Sequence, residues 1–210
     1  MQHASRDSDD LSPDGDVFAD DLKPGTTLLD GHYTILGFLN SGGFGITYLA
    51  KDSLDRTVVV KECFPNTLCR RSTSVVRARS RKHQGELRSF VENFIAEARS
   101  LARLVHPNIV GVHQVFEDND TAYMVLDFID GRDLQAIMET TDRAFAPGQI
   151  VAMLKKMLSA VEFIHQTGLL HRDISPDNIL VDPQGNPILI DFGAASEQTT
   201  RATRVLPGRR

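Results

Sequence analysis

The chain has 210 residues but no tryptophan and only two cysteines, Cys63 and Cys69. Two cysteines this close together make no evident structural bridge, and the paired C-x-x-C sets of a zinc site are missing. No apolar run approaches the roughly 18 residues that indicate a transmembrane helix. The N-terminus also lacks the basic start and apolar core of a signal peptide. We therefore expect a soluble, cytoplasmic protein with reduced thiols and no membrane segment.

Acidic residues are concentrated at the N-terminus. The first 21 residues contain seven aspartates and one arginine, which accounts for the net charge of −5 and leaves the remaining chain close to neutral. A segment with high charge and few apolar residues favours disorder, so we predict a disordered acidic tail over residues 1–30. With 41% hydrophobic residues, the chain is long enough for one large domain or two small lobes with a shared core.

β-branched and aromatic residues predict a β-rich first half of the chain. Five runs of this composition are separated by turn signals, namely residues 33–39, 45–51, 57–61, 112–116 and 122–128. The first two runs are joined by the glycine-rich segment N-S-G-G-F, which is typical of a hairpin tip.

One helix is predicted between the third and fourth of these strands. Apolar residues recur at helical spacing from Phe90 to Leu104, which predicts a helix over residues 90–105. The basic stretch of residues 70–88 before it has no clear periodicity, so we predict an exposed connection there. Its arginines would also suit nucleic-acid binding. Because it lacks interleaved aromatic residues and any recognisable reading element, a solvated loop is favoured and no nucleic-acid partner is expected.

The pattern changes after Asp130-Gly131. Two helical segments follow, near residues 134–139 and 149–165, and then two short apolar strands around a Pro/Gly turn. The sequence therefore predicts an α+β fold in which a mostly β lobe, residues 31–130, is followed by a mostly α lobe, residues 131–210.

Glycines and a lysine in the first lobe suit the binding of phosphates. Gly42, Gly43 and Gly45 would let backbone amides approach phosphates without Cβ clashes, although an ordinary hairpin has the same composition. Lys61 ends a β-branched strand, and Glu97 lies in the buried stripe of the predicted helix, where a carboxylate needs a cation. We predict a Lys61–Glu97 ion pair at about 4 Å that positions the lysine.

The second lobe contains side chains with the spacing of a phosphoryl-transfer loop. Asp173 has the position to accept the proton of an attacking hydroxyl, and Asn178 offers an oxygen to a metal ion. Asp191 follows an apolar strand in a D-F-G triplet and offers a carboxylate to Mg²⁺, a cation that prefers oxygen ligands. Each of these residues alone would fit a turn, but all of them in this order are hard to dismiss.

These motifs together resemble the protein kinase family. The segments N-S-G-G-F-G, V-V-V-K, H-R-D-I-S-P-D-N and D-F-G carry the resemblance, with Glu97 between them. The segments G-F-G-I-T-Y-L-A, V-K-E-C-F-P and H-P-N-I-V narrow it to bacterial eukaryotic-like serine/threonine kinases, over residues 33 to about 195. The resemblance implies a bilobal kinase-like fold with a five-stranded antiparallel N-lobe, one regulatory helix and a mainly helical C-lobe.

The resemblance also implies ATP and Mg²⁺ as cofactors and a protein substrate with a serine or threonine hydroxyl. Asp173, Lys61, Glu97 and Asn178 would be catalytic, and Asn178 and Asp191 would hold the metal.

The nucleotide site that the resemblance implies has an adenine end and a phosphate end. Val59 and Leu180 would enclose adenine, Leu126 would be the gatekeeper, and residues 127–129 would form the hinge. The full expected nucleotide site comprises Leu39, Asn40, Gly42, Gly43, Phe44, Gly45, Thr47, Val59, Lys61, Leu126, Asp127, Ile129 and Leu180.

Three features depart from the family pattern. Asn40 replaces the first glycine of the loop, and asparagine tolerates a positive φ better than most residues. Ser175 replaces a lysine that would help to bind the transferred phosphate, a loss on the order of 2.7–4 kcal/mol by analogy with other electrostatic donors. The chain also ends soon after D-F-G, so we expect a kinase truncated after the activation segment begins.

The leading hypothesis is therefore an ATP-dependent protein serine/threonine kinase. The alternative is a catalytically dead, kinase-derived module that binds nucleotide or another protein. A small-molecule phosphotransferase shares the same use of aspartate and asparagine, but the complete H-R-D and D-F-G triplets and Glu97 argue against it.

Overall fold

A computed structural model describes residues 20–140, 145–192 and 196–197. None of the helices in these ranges has the length and apolarity needed to span a bilayer. Both cysteines are free and buried, as the spacing predicts. Burial is the main cause that raises the pKa of each thiol to about 12, so neither is a reactive thiolate.

A six-stranded antiparallel sheet forms the first part of the chain. Its strands are β1 (Thr27–Leu28), β2 (Tyr33–Ser41), β3 (Gly45–Asp52), β4 (Thr57–Cys63), β7 (Val112–Asp118) and β8 (Thr121–Asp127). The spatial order is β1-β2-β3-β4-β8-β7. The five predicted strands are all present in this antiparallel sheet. A sixth strand is added because Thr27 and Leu28 pair with Thr34 and Tyr33.

The segment before β1 belongs to the fold. Leu22 is buried, and its backbone N–H donates to the hydroxyl of Tyr48 on β3 at 3.1 Å. The prediction of a disordered tail over residues 1–30 is therefore wrong for residues 20–30, because an apolar side chain and a backbone donor fix this segment to the sheet. Residues 1–19 lie outside the described residues.

The basic stretch of residues 70–88 is also structured. It contains a two-stranded hairpin, β5 (Cys69–Ser72) with β6 (Val75–Ala78), and the beginning of helix α1 (His83–Leu101). The prediction of an exposed connection is wrong here, because Cys69 and Val76 are buried in the same apolar cluster as Tyr48.

Helix α1 begins seven residues before the predicted start at residue 90 and ends at Leu101, four residues before the predicted end. Leu87 and Val91 are buried and extend the apolar stripe that continues through Ala98 to Leu101. The spacing of these residues keeps them on one side of the helix. This stripe fixes the orientation of the helix against the sheet.

Strand β8 separates two apolar cores. All of its residues from Thr121 to Leu126 are buried. Because successive side chains of a strand point to opposite faces, Tyr123 and Val125 pack into one cluster and Met124 and Leu126 into the other. The first cluster is built from the sheet, the β5–β6 hairpin, Leu22 and Leu87 of α1, whereas the second includes the end of α1 and elements that follow the sheet.

Two helices supply most of the residues in the remaining elements. These elements are β9 (Arg132–Asp133), α2 (Leu134–Thr140), α3 (Pro147–Gln166), β10 (Leu169–Leu170), β11 (Ile179–Val181), β12 (Pro187–Leu189) and β13 (Ser196–Glu197). Three of these strands form a small sheet in the order β12-β11-β9, and β10 pairs with β13. We call residues 20–127 the sheet region and residues 132–192 the helical region.

Helix α3 buries little of its apolar surface. Ala160 and Ile164 are its only buried residues within the described chain, and both pack into the second core. Its exposed large apolar residues are Ile150, Val151, Leu154 and Leu158. The helical region therefore shares a core with the sheet region on one side and carries an open apolar face on the other.

Candidate active site

A cleft between the two regions brings the predicted phosphate-binding residues together. It encloses about 200 Å³ and is lined from the sheet region by the β2–β3 hairpin tip and Lys61. Asp173 and Asp191 line it from the helical region. The complete lining is Asn40, Ser41, Gly42, Gly43, Phe44, Gly45, Thr47, Lys61, Asp173 and Asp191.

The glycine-rich loop is a tight hairpin tip. The backbone N–H of Gly42 donates to the carbonyl of Gly45 at 2.9 Å. A Cβ at Gly45 would lie 2.6 Å from the carbonyl oxygen of Glu62 on β4, so only glycine permits this close approach. Asn40 does not need a positive φ, because it lies within β2 and its side chain accepts a hydrogen bond from the backbone N–H of Ser41 at 2.7 Å.

Lys61 forms its ion pair with Asp191, and the Nζ–Oδ1 distance is 2.6 Å. The predicted Lys61–Glu97 ion pair is therefore wrong for this conformation. Glu97 does line a small cavity together with Lys61 and Asp191. Burial raises the pKa of Glu97 to about 7, Lys61 opposes this rise, and the carboxylate of Asp191 adds to it. A carboxyl group that is partly protonated near neutral pH attracts the lysine less than the more exposed Asp191 does.

Hydrogen bonds organise the loop that carries Asp173. The side-chain amide of Asn178 donates to the carbonyl and to Oδ2 of Asp173, each at 3.1 Å, and to Oγ of Ser175 at 3.2 Å. Arg172 has a φ of 66°, an unusual value for a residue with a side chain. Ser175 therefore supplies an acceptor that helps to orient Asn178, a role that the sequence analysis did not predict.

His171 and Phe192 pack against each other, and His171 is hydrogen-bonded to the loop that carries Asp173. His171 is buried, and its ring centroid lies 4.5 Å from that of Phe192. The Nδ1 of His171 accepts a hydrogen bond from the backbone N–H of Asp173 at 3.3 Å. Burial lowers the pKa of His171, although the carboxylates of Asp191 and Asp173 oppose this effect. A neutral imidazole with Nδ1 as acceptor follows from these contacts.

Asn178 and Asp191 fit a divalent metal ion as donors. The amide nitrogen of Asn178 is used in the loop, and no described residue donates to its oxygen. The carboxylate of Asp191 faces the cleft, and both groups are oxygen donors of the kind that Mg²⁺ prefers. The described residues contain no group of three or more His, Cys, Asp or Glu side chains that would hold a metal alone. A metal at this site would therefore need further ligands, such as nucleotide phosphates and water.

The residues expected around adenine lie near the second core. Leu126 is buried and lines the small cavity beside Lys61, and Val59 and Ile129 pack against the same cluster. Leu180 pairs with Ile188 in the small sheet, and Leu39 is 47% exposed. No contact of these residues with adenine is described, so their roles stay predictions.

The side chain of Asp127 points toward β7 and its preceding turn. Its Oδ2 accepts a hydrogen bond from the backbone N–H of Gly111 at 3.0 Å, and its Oδ1 lies 2.7 Å from Nε2 of His113. The backbone N–H of Asp127 donates to the carbonyl of Gly111 at 3.0 Å. The sequence analysis missed this pair of contacts, which fix the predicted hinge to the edge of the sheet.

A buried ion pair lies on the opposite face of β4 from Lys61. Glu62 is completely buried and pairs with Arg71 of β5, whose side chain is 4% exposed. The hydroxyls of Tyr48 and Tyr123 donate to the two carboxylate oxygens of Glu62, at 2.8 and 2.9 Å. Arg71 also donates to the backbone carbonyl of Asp20. The sequence contains the signal for this network, since Glu62 lies on the same face of β4 as the buried residues Val58 and Val60.

This chain is similar to several known proteins. A family model described as "Protein kinase domain" matches residues 33–207. The serine/threonine-protein kinase PrkC of Bacillus subtilis is 32% identical over 169 residues, which cover 80% of this chain and 23% of PrkC. The serine/threonine-protein kinase PknA of Mycobacterium tuberculosis is 32% identical over 173 residues, which cover 80% of this chain and 36% of PknA. The chain thus spans about a quarter to a third of the length of these relatives.

A solved structure described as "PpkA-294 apo form" is also similar to this chain. The TM-score is 0.77 at 35% sequence identity, over 83% of this chain and 62% of the other. The predicted α+β, bilobal fold class is confirmed by this match.

Proposed function

This chain belongs to the protein kinase family, and on that premise we propose that it transfers the γ-phosphoryl group of ATP to a serine or threonine hydroxyl of a protein. Membership of the family implies ATP and a divalent metal ion, and we propose Mg²⁺ as that ion. We also propose residue 130, which lies between β8 and β9, as the boundary between the N-terminal lobe and the C-terminal lobe. We also propose a cytoplasmic location, because a kinase draws on the ATP of that compartment.

One observation carries the proposal. Lys61, Asp173 and Asp191 come from three separate parts of the chain and line one cleft together with the glycine-rich loop. A lysine, two carboxylates and backbone amides around one cavity are the groups that position a triphosphate and an attacking hydroxyl. A merely structural role for each residue would not require them to share a cavity.

Each residue has a role in the proposed reaction. Asp173 orients the substrate hydroxyl and accepts its proton, and Lys61 contacts phosphate oxygens. Asn178 and Asp191 would hold the metal ion, and Mg²⁺ bound there would neutralise part of the phosphate charge. Ser175 contributes by orienting Asn178 rather than by contributing positive charge.

Lys61 and Asp191 must separate before both can take these roles, because the structure pairs them at 2.6 Å. If Asp191 were to hold the metal ion, Lys61 would be free to contact the phosphates, with Glu97 as its neighbouring carboxyl group. A charged partner favours the charged form of a carboxyl group. Approach of Lys61 would therefore lower the pKa of Glu97 and complete the predicted Lys61–Glu97 pair.

The proposal is tested by comparing the protein with Asp173→Asn, which keeps the size of the side chain but removes the base. The pure chain is incubated with radiolabelled ATP, Mg²⁺ and a generic protein acceptor, and nucleotide binding is measured separately. We expect phosphoryl transfer to fall by about 10²–10⁴-fold with nucleotide binding retained.

Asp177→Asn is the matched control, because Asp177 is an exposed carboxylate of the same loop. Its transfer rate should stay close to that of the unmodified chain. Nucleotide binding without any transfer that depends on Asp173 would contradict the proposal and identify a binding module instead.

A further inference from the structure

The tip of the glycine-rich loop contacts helix α1. The ring of Phe44 stacks on the ring of Phe90, with centroids 5.8 Å apart and planes inclined by 17°. Phe44 is 66% exposed, so its ring is not part of either core. The contact joins the loop to a helix that does not itself line the cleft.

Little else supports the loop tip. A Cβ built at Gly42 or Gly43 would meet no atom of the described residues within 4 Å, so none of these residues packs closely against the two glycines. The backbone carbonyl of Phe44 accepts a hydrogen bond from the N–H of Phe64 at 3.1 Å, which fixes the base of the tip to the end of β4. The stacking of Phe44 on Phe90 is therefore the side-chain contact that fixes the position of the tip relative to the cleft.

Phe90 also connects the loop to the position of Glu97. The two residues are seven positions apart in α1, which is about two turns and places them on the same side of the helix. Glu97 lines the small cavity with Lys61 and Asp191, and Phe44 lines the larger cleft with the same two residues. A shift of α1 would thus move the support of the loop and the carboxyl group near Lys61 together.

We propose that Phe90 is a positioning residue that holds the glycine-rich loop over the phosphate end of the cleft by stacking on Phe44. The stack makes the position of the loop depend on the position of α1. Because such coupling is reciprocal, a nucleotide held under the loop also favours the helix position that supports it. The functional part of this inference, that the phosphates of ATP lie beneath the loop, rests on the proposed function.

The coupling is tested first without nucleotide, by hydrogen–deuterium exchange. Phe90→Ala should increase amide exchange in residues 40–46, and Phe44→Ala should increase exchange in the first half of α1. Leu54→Ala is the matched control, because Leu54 is an apolar residue, 70% exposed, in the turn between β3 and β4 outside the cleft. Unchanged exchange of the loop in Phe90→Ala would overturn the proposal.

The second test is a double-mutant cycle on the Kd for ATP with Mg²⁺. Removal of either ring should weaken binding by about two- to tenfold, the range for an aromatic pair. The double variant should be no weaker than the weaker single variant, because both substitutions remove one interaction. Phe90→Tyr should retain binding, because the aromatic ring is kept. The thermal unfolding midpoints of the variants should not vary in parallel with their Kd values for ATP.

The two tests separate failure of this inference from failure of the proposed function. Independent, additive losses of affinity would overturn the coupling while leaving transfer by Asp173 intact. A chain that binds no ATP but shows the reciprocal exchange changes would support the coupling and contradict the proposed function.

Discussion

The sheet region buries a charged pair, whereas the helical region exposes apolar side chains. Glu62 and Arg71 lie inside the first core with 0% and 4% side-chain exposure. In α3, by contrast, Leu154 and Leu158 are 56% and 59% exposed. Residue type alone would have predicted the reverse. The difference shows that a side chain is buried in this molecule where other elements pack around it, whether it is charged or apolar.

The two regions also contribute differently to the cleft. The sheet region supplies Lys61, which is held on a strand between two packed cores and is 19% exposed. The helical region supplies Asp173 and Asn178 on a loop whose geometry depends on hydrogen bonds. We therefore expect substitutions in the sheet region to act first on stability and substitutions in the Asp173 loop to act first on the reaction.

The largest effect should come from breaking the buried pair. Arg71→Met leaves Glu62 buried without its cation, and we expect a loss of about 3–5 kcal/mol in the free energy of unfolding. Urea denaturation measures this loss directly. Arg77→Met is the matched control, since Arg77 pairs with Asp120 at the surface and should cost at most about 1 kcal/mol. Equal small losses in both variants would contradict the expectation that the buried Glu62–Arg71 pair matters more to stability than the surface Arg77–Asp120 pair.

A second comparison lies within α3. Ile164 is fully buried in the second core, so Ile164→Ala should cost about 2–5 kcal/mol in the free energy of unfolding. Leu158→Ala should change it by no more than about 0.5 kcal/mol, because this side chain is already largely exposed. Urea titrations of both variants check the difference. A large loss for Leu158→Ala would mean that the apolar face of α3 is covered in solution.

The pH dependence of stability should reveal Glu97, which lies where the two regions meet. Its pKa of about 7 in the folded protein exceeds the ordinary value of 4.5, so the folded state binds this proton more tightly than the unfolded chain. Its contribution is therefore present at low pH and is lost as pH rises from about 4.5 through about 7. The stability of the protein relative to Glu97→Gln should fall across this window and then stay level.

This expectation is checked by urea midpoints between pH 5 and pH 8 for both chains. A stability difference that does not change with pH would show that Glu97 has the same pKa in the folded and unfolded states.

The smallest effect should come from the partly exposed pair at the predicted hinge. His113→Gln removes the contact with Asp127, whose side chain is 45% exposed, and should cost about 0.2–1 kcal/mol at most. Thermal unfolding at low and high salt measures it. The cost should shrink with added salt, in contrast to that of Arg71→Met. A salt-independent loss would show that the hydrogen bond, not the charge, stabilises this edge.

The sequence predicted the elements that have clear periodicity. The five long strands and the stripe of α1 were found because their apolar residues repeat with the spacing of a strand or a helix. β1 was missed because two residues, Thr27 and Leu28, are too few to show a period. The β5–β6 hairpin was missed because Arg71 made a buried segment look solvated, and its partner Glu62 is close only in the folded chain.

The residues of the candidate site could be predicted from the sequence, but the ion-pair partner of Lys61 could not. Fixed spacings within the H-R-D and D-F-G segments place Asp173 and Asp191 at the cleft. Lys61 has two carboxyl groups near it, and the choice between Glu97 and Asp191 depends on their burial and position. Those quantities arise from packing between α1 and the helical region, which no short motif specifies.

In the Lys61–Asp191 contact, the positive charge of the cleft is neutralised by a carboxylate of the same cleft. A polyanion that arrives alone would have to draw Lys61 away from Asp191 and place its phosphates beside the negative charge of that carboxylate, which is electrostatically unfavourable. A cation that arrives with it satisfies that carboxylate. Nucleotide and divalent ion should therefore act as heterotropic ligands, each raising the affinity of the cleft for the other, and the Kd for nucleotide should respond to metal concentration far more than to bulk ionic strength.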